Sequence, residues 1–130
     1  MMKRIKTLLL VAMFTLSLAG CGGGEGYALP VQHWKGVDIR VETHPNPPQA
    51  GMAEIVVIIT GLHGRPIPDI SVSLRGNDSL QWVQAIQDGM IGVYRRAINI
   101  GEGKEVGLQV RLQNQGEEKI LIYPLKLVAG

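Results

Sequence analysis

From Val37 onward, apolar and polar residues alternate with a period of two, which predicts strands rather than helices. Val37, Ile39 and Val41 alternate with Asp38, Arg40 and Glu42. Residues 44–51, HPNPPQAG, can continue neither a strand nor a helix. Met52 to Thr60, MAEIVVIIT, is β-branched and becomes apolar on both faces, the pattern of a central strand. After a turn at 61–66, Ile70, Val72 and Leu74 alternate with Ser71, Ser73 and Arg75. A short strand is predicted over Gln81–Ile86, and Asp88-Gly89 turns the chain. The next strand, Gly92–Ile98, sets Val93 and Ala97 on one face and Tyr94, Arg96 and Ile98 on the other. Val106, Leu108, Val110 and Leu112 mark a sixth strand, and Leu121, Tyr123, Leu125 and Leu127 a seventh. Pro124 lacks a backbone donor, so the last strand is expected at an edge or a bulge. Seven short antiparallel strands with turns between them predict an all-β, immunoglobulin-like sandwich over residues 37–129.

The first 36 residues follow another logic. Lys3, Arg4 and Lys6 precede an apolar, uncharged stretch from Thr7 to Leu18. That stretch is too short to span a bilayer, and the order of charge and apolar run is that of a secretory signal peptide, residues 1–20. Leu18-Ala19-Gly20-Cys21 then resembles the lipobox of bacterial lipoproteins, in which small residues fit the peptidase site and the cysteine is acylated. This resemblance implies cleavage before Cys21, lipid on Cys21 and attachment of the mature chain to a membrane. Several acyl chains bind stably where one binds marginally. Gly22 rather than Asp follows the cysteine. By analogy this directs a Gram-negative protein to the outer membrane, facing the periplasm. In a Gram-positive cell the anchor lies on the outer face of the cytoplasmic membrane. Residues 21–36, opening with Gly22-Gly23-Gly24, read as a lipidated Gly-rich tether, since the glycines follow no strand and open no helix.

Charge changes meaning once the leader is separated. The 130-residue chain has 13 Lys and Arg against 11 Asp and Glu, a formal net charge of +2. Three of those basic residues and no acid lie in residues 1–20, so the remainder carries ten against eleven, or −1. No basic patch for nucleic acid is indicated. Cys21 is the single cysteine, so no internal disulfide forms and the sandwich depends on its core.

Three segments carry a family resemblance: residues 41–51, VETHPNPPQAG; residues 60–72, TGLHGRPIPDISV; and residues 88–94, DGMIGVY. They resemble the YtkA-like and FixH-like family of small exported β-sandwich domains, over roughly residues 37–128. The resemblance implies an accessory or binding role in the cell envelope. Members often carry a Met-rich stretch between the third and fifth strands, and some are linked to copper handling; Arg75–Gln87 here contains no methionine.

Candidate chemistry is sparse. His33, His44 and His63, with Met52 and Met90, are soft ligands suited to Cu(I). His44 and Met52 are expected at one end of the sandwich and His63 and Met90 at the other, separated by the roughly 25 Å length of a nine-residue strand. Asp88, Glu117 and Glu118 are the carboxylates expected nearest the second pair. No hydrolase or zinc-protease motif occurs, and the chain reads as non-enzymatic, without a cofactor beyond the lipid. Trp82 is expected in an edge strand, as core filling in a chain with one phenylalanine or as a recognition platform. Three functions follow: an accessory module binding an envelope partner, a copper-handling domain, or a structural spacer or adhesion module.

Overall fold

The computed structural model describes residues 28–129. The expected signal peptide, Cys21, the triple glycine and Tyr27 lie outside the described residues. Among the described residues nine strands form in chain order: β1 Gln32–Trp34, β2 Val37–His44, β3 Met52–Thr60, β4 Ser71–Arg75, β5 Val83–Gln84, β6 Ile86–Gln87, β7 Val93–Asn99, β8 Glu105–Asn114 and β9 Glu117–Lys126. They make two antiparallel sheets, one of five strands in the order β1-β2-β3-β7-β6 and one of four in the order β5-β4-β8-β9. The all-β sandwich read from the alternation is therefore the fold.

The apolar alternation places the core. Ile39 and Val41 from β2, Ile55, Val57 and Ile59 from β3, and Tyr94 and Ile98 from β7 face Val72 and Leu74 from β4, Leu108, Val110 and Leu112 from β8, and Leu121, Tyr123 and Leu125 from β9. β3, apolar on both faces, is the middle strand of its sheet. β9 is an edge strand, as Pro124 required. Ile122, in the same phase as Pro124, turns its carbonyl to the free side, where it accepts a hydrogen bond from the Gln32 side chain. Pro124 therefore sits where a missing N–H removes no ladder bond.

Two details depart from the sequence reading. The strand expected over Gln81–Ile86 is two strands in different sheets: β5 pairs with β4, and β6 pairs with β7. The chain crosses between sheets at Ala85, a small buried residue whose N–H reaches the Val72 carbonyl at 2.8 Å. The tether expected as far as residue 36 also ends earlier. β1 pairs with β2, and Leu29 and Trp34 pack against the core. Too few residues precede the Lys35-Gly36 turn for a period of two to be legible there.

The sandwich has two ends. At the Met52 end, Gly51 exchanges backbone bonds with Gly101 and Ile100, and Val128 N–H reaches the Pro48 carbonyl. At the Thr60 end, Ile59 N–H bonds the Gly92 carbonyl at 2.8 Å, and Lys35 pairs with Glu117.

Candidate functional site: an aromatic–cationic platform and two ligand-bearing ends

Trp82 is half-buried and stands outside the core. It precedes β5, where the Val83–Leu74 pairing brings it over the outer face of the four-stranded sheet. The guanidinium carbons of Arg75 and Arg111 lie 4.3 and 4.5 Å from its ring centroid. Strand phase explains the meeting. Val72 and Leu74 point inward, so Arg75 points out. Leu108, Val110 and Leu112 point inward, so Gln109 and Arg111 point out. The register Arg75↔Gln109 and Ser73↔Arg111 then makes the two arginines diagonal neighbours.

The arginines are held from the side. Arg75 Nε donates to the Gln109 side-chain oxygen at 2.8 Å and its Nη2 contacts Asp78 Oδ1 at 3.3 Å. Gln109 Nε2 donates to the same Asp78 oxygen at 2.6 Å. Arg111 Nε lies 3.8 Å from Glu118 Oε1. On the adjoining rows of β9, Ile120 opposes Arg111 and Ile122 opposes Gln109, both exposed. The result is a preset surface of one indole, two guanidinium groups and two isoleucines. The core role expected for Trp82 falls to Tyr123, which is wholly buried. The alternation of β4 and β8 showed that their arginines face outward; their meeting under Trp82 depends on a register that one sequence does not disclose.

The metal candidates fall at the two ends as expected. His44 pairs in register with Glu54, and Met52 lies two positions further along the same outer face of β3. Met52 is 65% exposed. At the opposite end, His63 sits in a short 3₁₀ turn with φ +58°, and Met90 is 69% exposed in the turn before β7. Gly92 carries the second turn against the first: a Cβ there would lie 2.6 Å from the Ile59 carbonyl and 3.5 Å from Pro66. Asp88 is engaged by Arg95 at 2.8 Å, and Glu117 by Lys35. His33 is bonded to Asp38 at 2.6 Å. Among the described residues, no three His, Cys, Asp or Glu side chains converge on one point.

One further feature follows from the sheet crossing. Arg96 occupies a core-facing phase of β7, paired with Ile55 and flanked by Tyr94 and Ile98. It is nevertheless exposed, because a cleft of about 700 Å³ opens there, lined also by Asp69, Ser71, Gln84 and Gln87. Burial raises the pKa of Tyr94 in the same cleft. A backbone bond from Ile70 opposes that shift and the Asp69 carboxylate adds to it.

No protein-family profile matches the chain, and no significant relative is found among curated proteins or solved structures.

Proposed function

We propose that this chain is a lipid-anchored, non-enzymatic protein of the bacterial cell envelope, tethered through Cys21, whose sandwich binds an envelope partner through the Trp82 face. The anchor rests on the ordered signal in the sequence: basic residues, an apolar run, small residues, cysteine. The binding role rests on one observation above all, the Trp82 ring stacked with Arg75 and Arg111 beside exposed Ile120 and Ile122. Trp and Arg are the residue types that most often dominate interface energies. The bonds from Arg75 to Gln109 and Asp78 fix that guanidinium beforehand, which lowers the ordering cost of association. The resemblance to YtkA-like domains supports the same accessory role.

A photo-crosslinker at Ile122 in the full chain tests this in cells. A discrete envelope adduct is expected, lost with Trp82→Ala and with Arg75→Ala. Adducts that persist unchanged in both variants would overturn the platform. Membrane fractionation of Cys21→Ser tests the anchor, which predicts release of the protein from the membrane.

A copper-handling role is the second reading. It is favoured by the placement of the His63 and Met90 turns at the same end of the sandwich, where Gly92 lies close to Pro66. Two soft ligands match part of a Cu(I) set. A Cu(I) competition titration should then show binding that His63→Ala removes.

A further inference from the structure

The first described residues fix which end of the sandwich lies nearest the anchor. β1 runs antiparallel to β2, with Gln32 opposite Ile39 and Trp34 opposite Val37. The chain before Gln32 therefore descends toward the Met52 end. Leu29 is packed on the core, and Ala28, Leu29 and Pro30 share a groove with Glu105, Pro124 and Lys126. Glu105 and Lys126 are paired at that same end, where Leu127 N–H meets the Lys104 carbonyl.

Six residues lie between Cys21 and Ala28. Seven peptide steps reach at most about 25 Å when fully stretched, and a flexible chain of that length averages about 15 Å. β3, running from Met52 to Thr60, spans about 27 Å. With acyl chains on Cys21 in the bilayer, the short tether favours the Met52 end facing the lipid, because Ala28 lies nearer to that end than to Thr60. Gln32 is level with Ile59, so Ala28, four residues earlier, stands about 17 Å along the strand direction from Thr60 and about 10 Å from Met52. With the Thr60 end down, that height alone exceeds the average reach of about 15 Å.

We infer that the Met52 end faces the lipid surface, with the side chains of Met52 and Val128 among the headgroups. Both are apolar and exposed, at 65% and 42%. An exposed methionine and valine gain by leaving water for the boundary between headgroups and acyl chains. Leu62, Met90 and Ile91, exposed at the opposite end, then stand farthest from the membrane. This inference rests on the lipid anchor proposed above. It also bears on the copper reading, since His63 and Met90 become the accessible pair and His44 with Met52 the lipid-facing one.

The test uses the full lipidated chain in vesicles of phosphatidylethanolamine and phosphatidylglycerol carrying a headgroup quencher. Single labels are introduced through Met52→Cys, Val128→Cys, Leu62→Cys and Met90→Cys. Fluorescence should be quenched at positions 52 and 128 and unaffected at 62 and 90. Equal quenching at both ends, or stronger quenching at 62 and 90, would overturn the orientation while leaving the anchor intact. Vesicle flotation reads the anchor separately: if the unsubstituted chain and Cys21→Ser both fail to float, the anchor fails and the orientation falls with it.

Discussion

The Tyr123 hydroxyl, on β9, donates a hydrogen bond to the main-chain carbonyl of Ile39, on β2, at 2.7 Å. The bond crosses from one sheet to the other near the side where Gln32 also reaches the Ile122 carbonyl. Tyr123 is the largest fully buried side chain. Its ring fills the core, and its hydroxyl ties the two edge regions together.

Tyr123→Phe keeps the ring and removes the bond. A buried acceptor left without its donor costs about 1–3 kcal/mol. The unfolding free energy should fall by that amount, read as a lower denaturation midpoint with an unchanged slope. Alkaline pH should show the same group. Burial pushes the Tyr123 hydroxyl up to about 12, with a backbone bond at Gln32 opposing the shift. The folded state thus disfavours the phenolate relative to the unfolded chain. Its contribution is complete below about pH 10 and lost as pH rises toward 12. Tyr94, also raised, adds to the same alkaline limb. Melting temperature against pH should therefore fall less steeply above pH 10 in Tyr123→Phe than in the native chain.

The fold was legible because period-two alternation names both the strands and their buried faces, from Ile39 and Val41 in β2 to Leu108, Val110 and Leu112 in β8. The edge position of β9 was legible from Pro124 alone. What escaped was whatever depends on register or on contacts distant in sequence. Trp82 was visible as a large aromatic, but its two arginine partners meet it only through the pairing of β4 with β8. The break at Ala85 was hidden because Gln81–Ile86 is too short for a change of sheet to disturb its alternation. β1 was hidden because three residues beside a glycine turn carry no period.

Trp82 and Arg111 should be energetically coupled. A guanidinium stacked on a half-buried indole is worth about 0.5–2 kcal/mol. In a double-mutant cycle, Trp82→Ala and Arg111→Ala should each lower stability, and the double variant should lose less than their sum by about that amount. The same cycle with Arg96, which lies in the separate cleft lined by Tyr94 and Asp69, should show additivity.

Ala85 sets the crossing between sheets. It is buried, and its N–H holds the Val72 carbonyl while the chain leaves β5 for β6. Ala85→Leu forces three more carbons into that junction, at a cost of about 1–3 kcal/mol for overpacking. Amide exchange should accelerate in β5 and β6 first, because each strand has two residues and one neighbour to hold it. The β8–β9 ladder, ten residues on each strand, should keep its protection.

Gly92 and Gly116 separate two reasons for glycine. Both hold a positive φ, +85° and +81°, that a side chain adopts with strain. Around Gly116 a Cβ would meet nothing within 4 Å, whereas at Gly92 it would lie 2.6 Å from the Ile59 carbonyl. Gly116→Ala should therefore cost only the conformational strain, about 1–2 kcal/mol. Gly92→Ala adds a clash with backbone that has no room to yield, and it threatens the Ile59–Gly92 bond at 2.8 Å. Its cost should exceed that of Gly116→Ala by at least about 1 kcal/mol. Because Gly92 also seats the Met90 turn against the His63 turn, the variant should change amide shifts around residues 61–66, which Gly116→Ala leaves in place. Equal losses in the two variants would mean that backbone conformation alone, and not close approach, selects glycine at position 92.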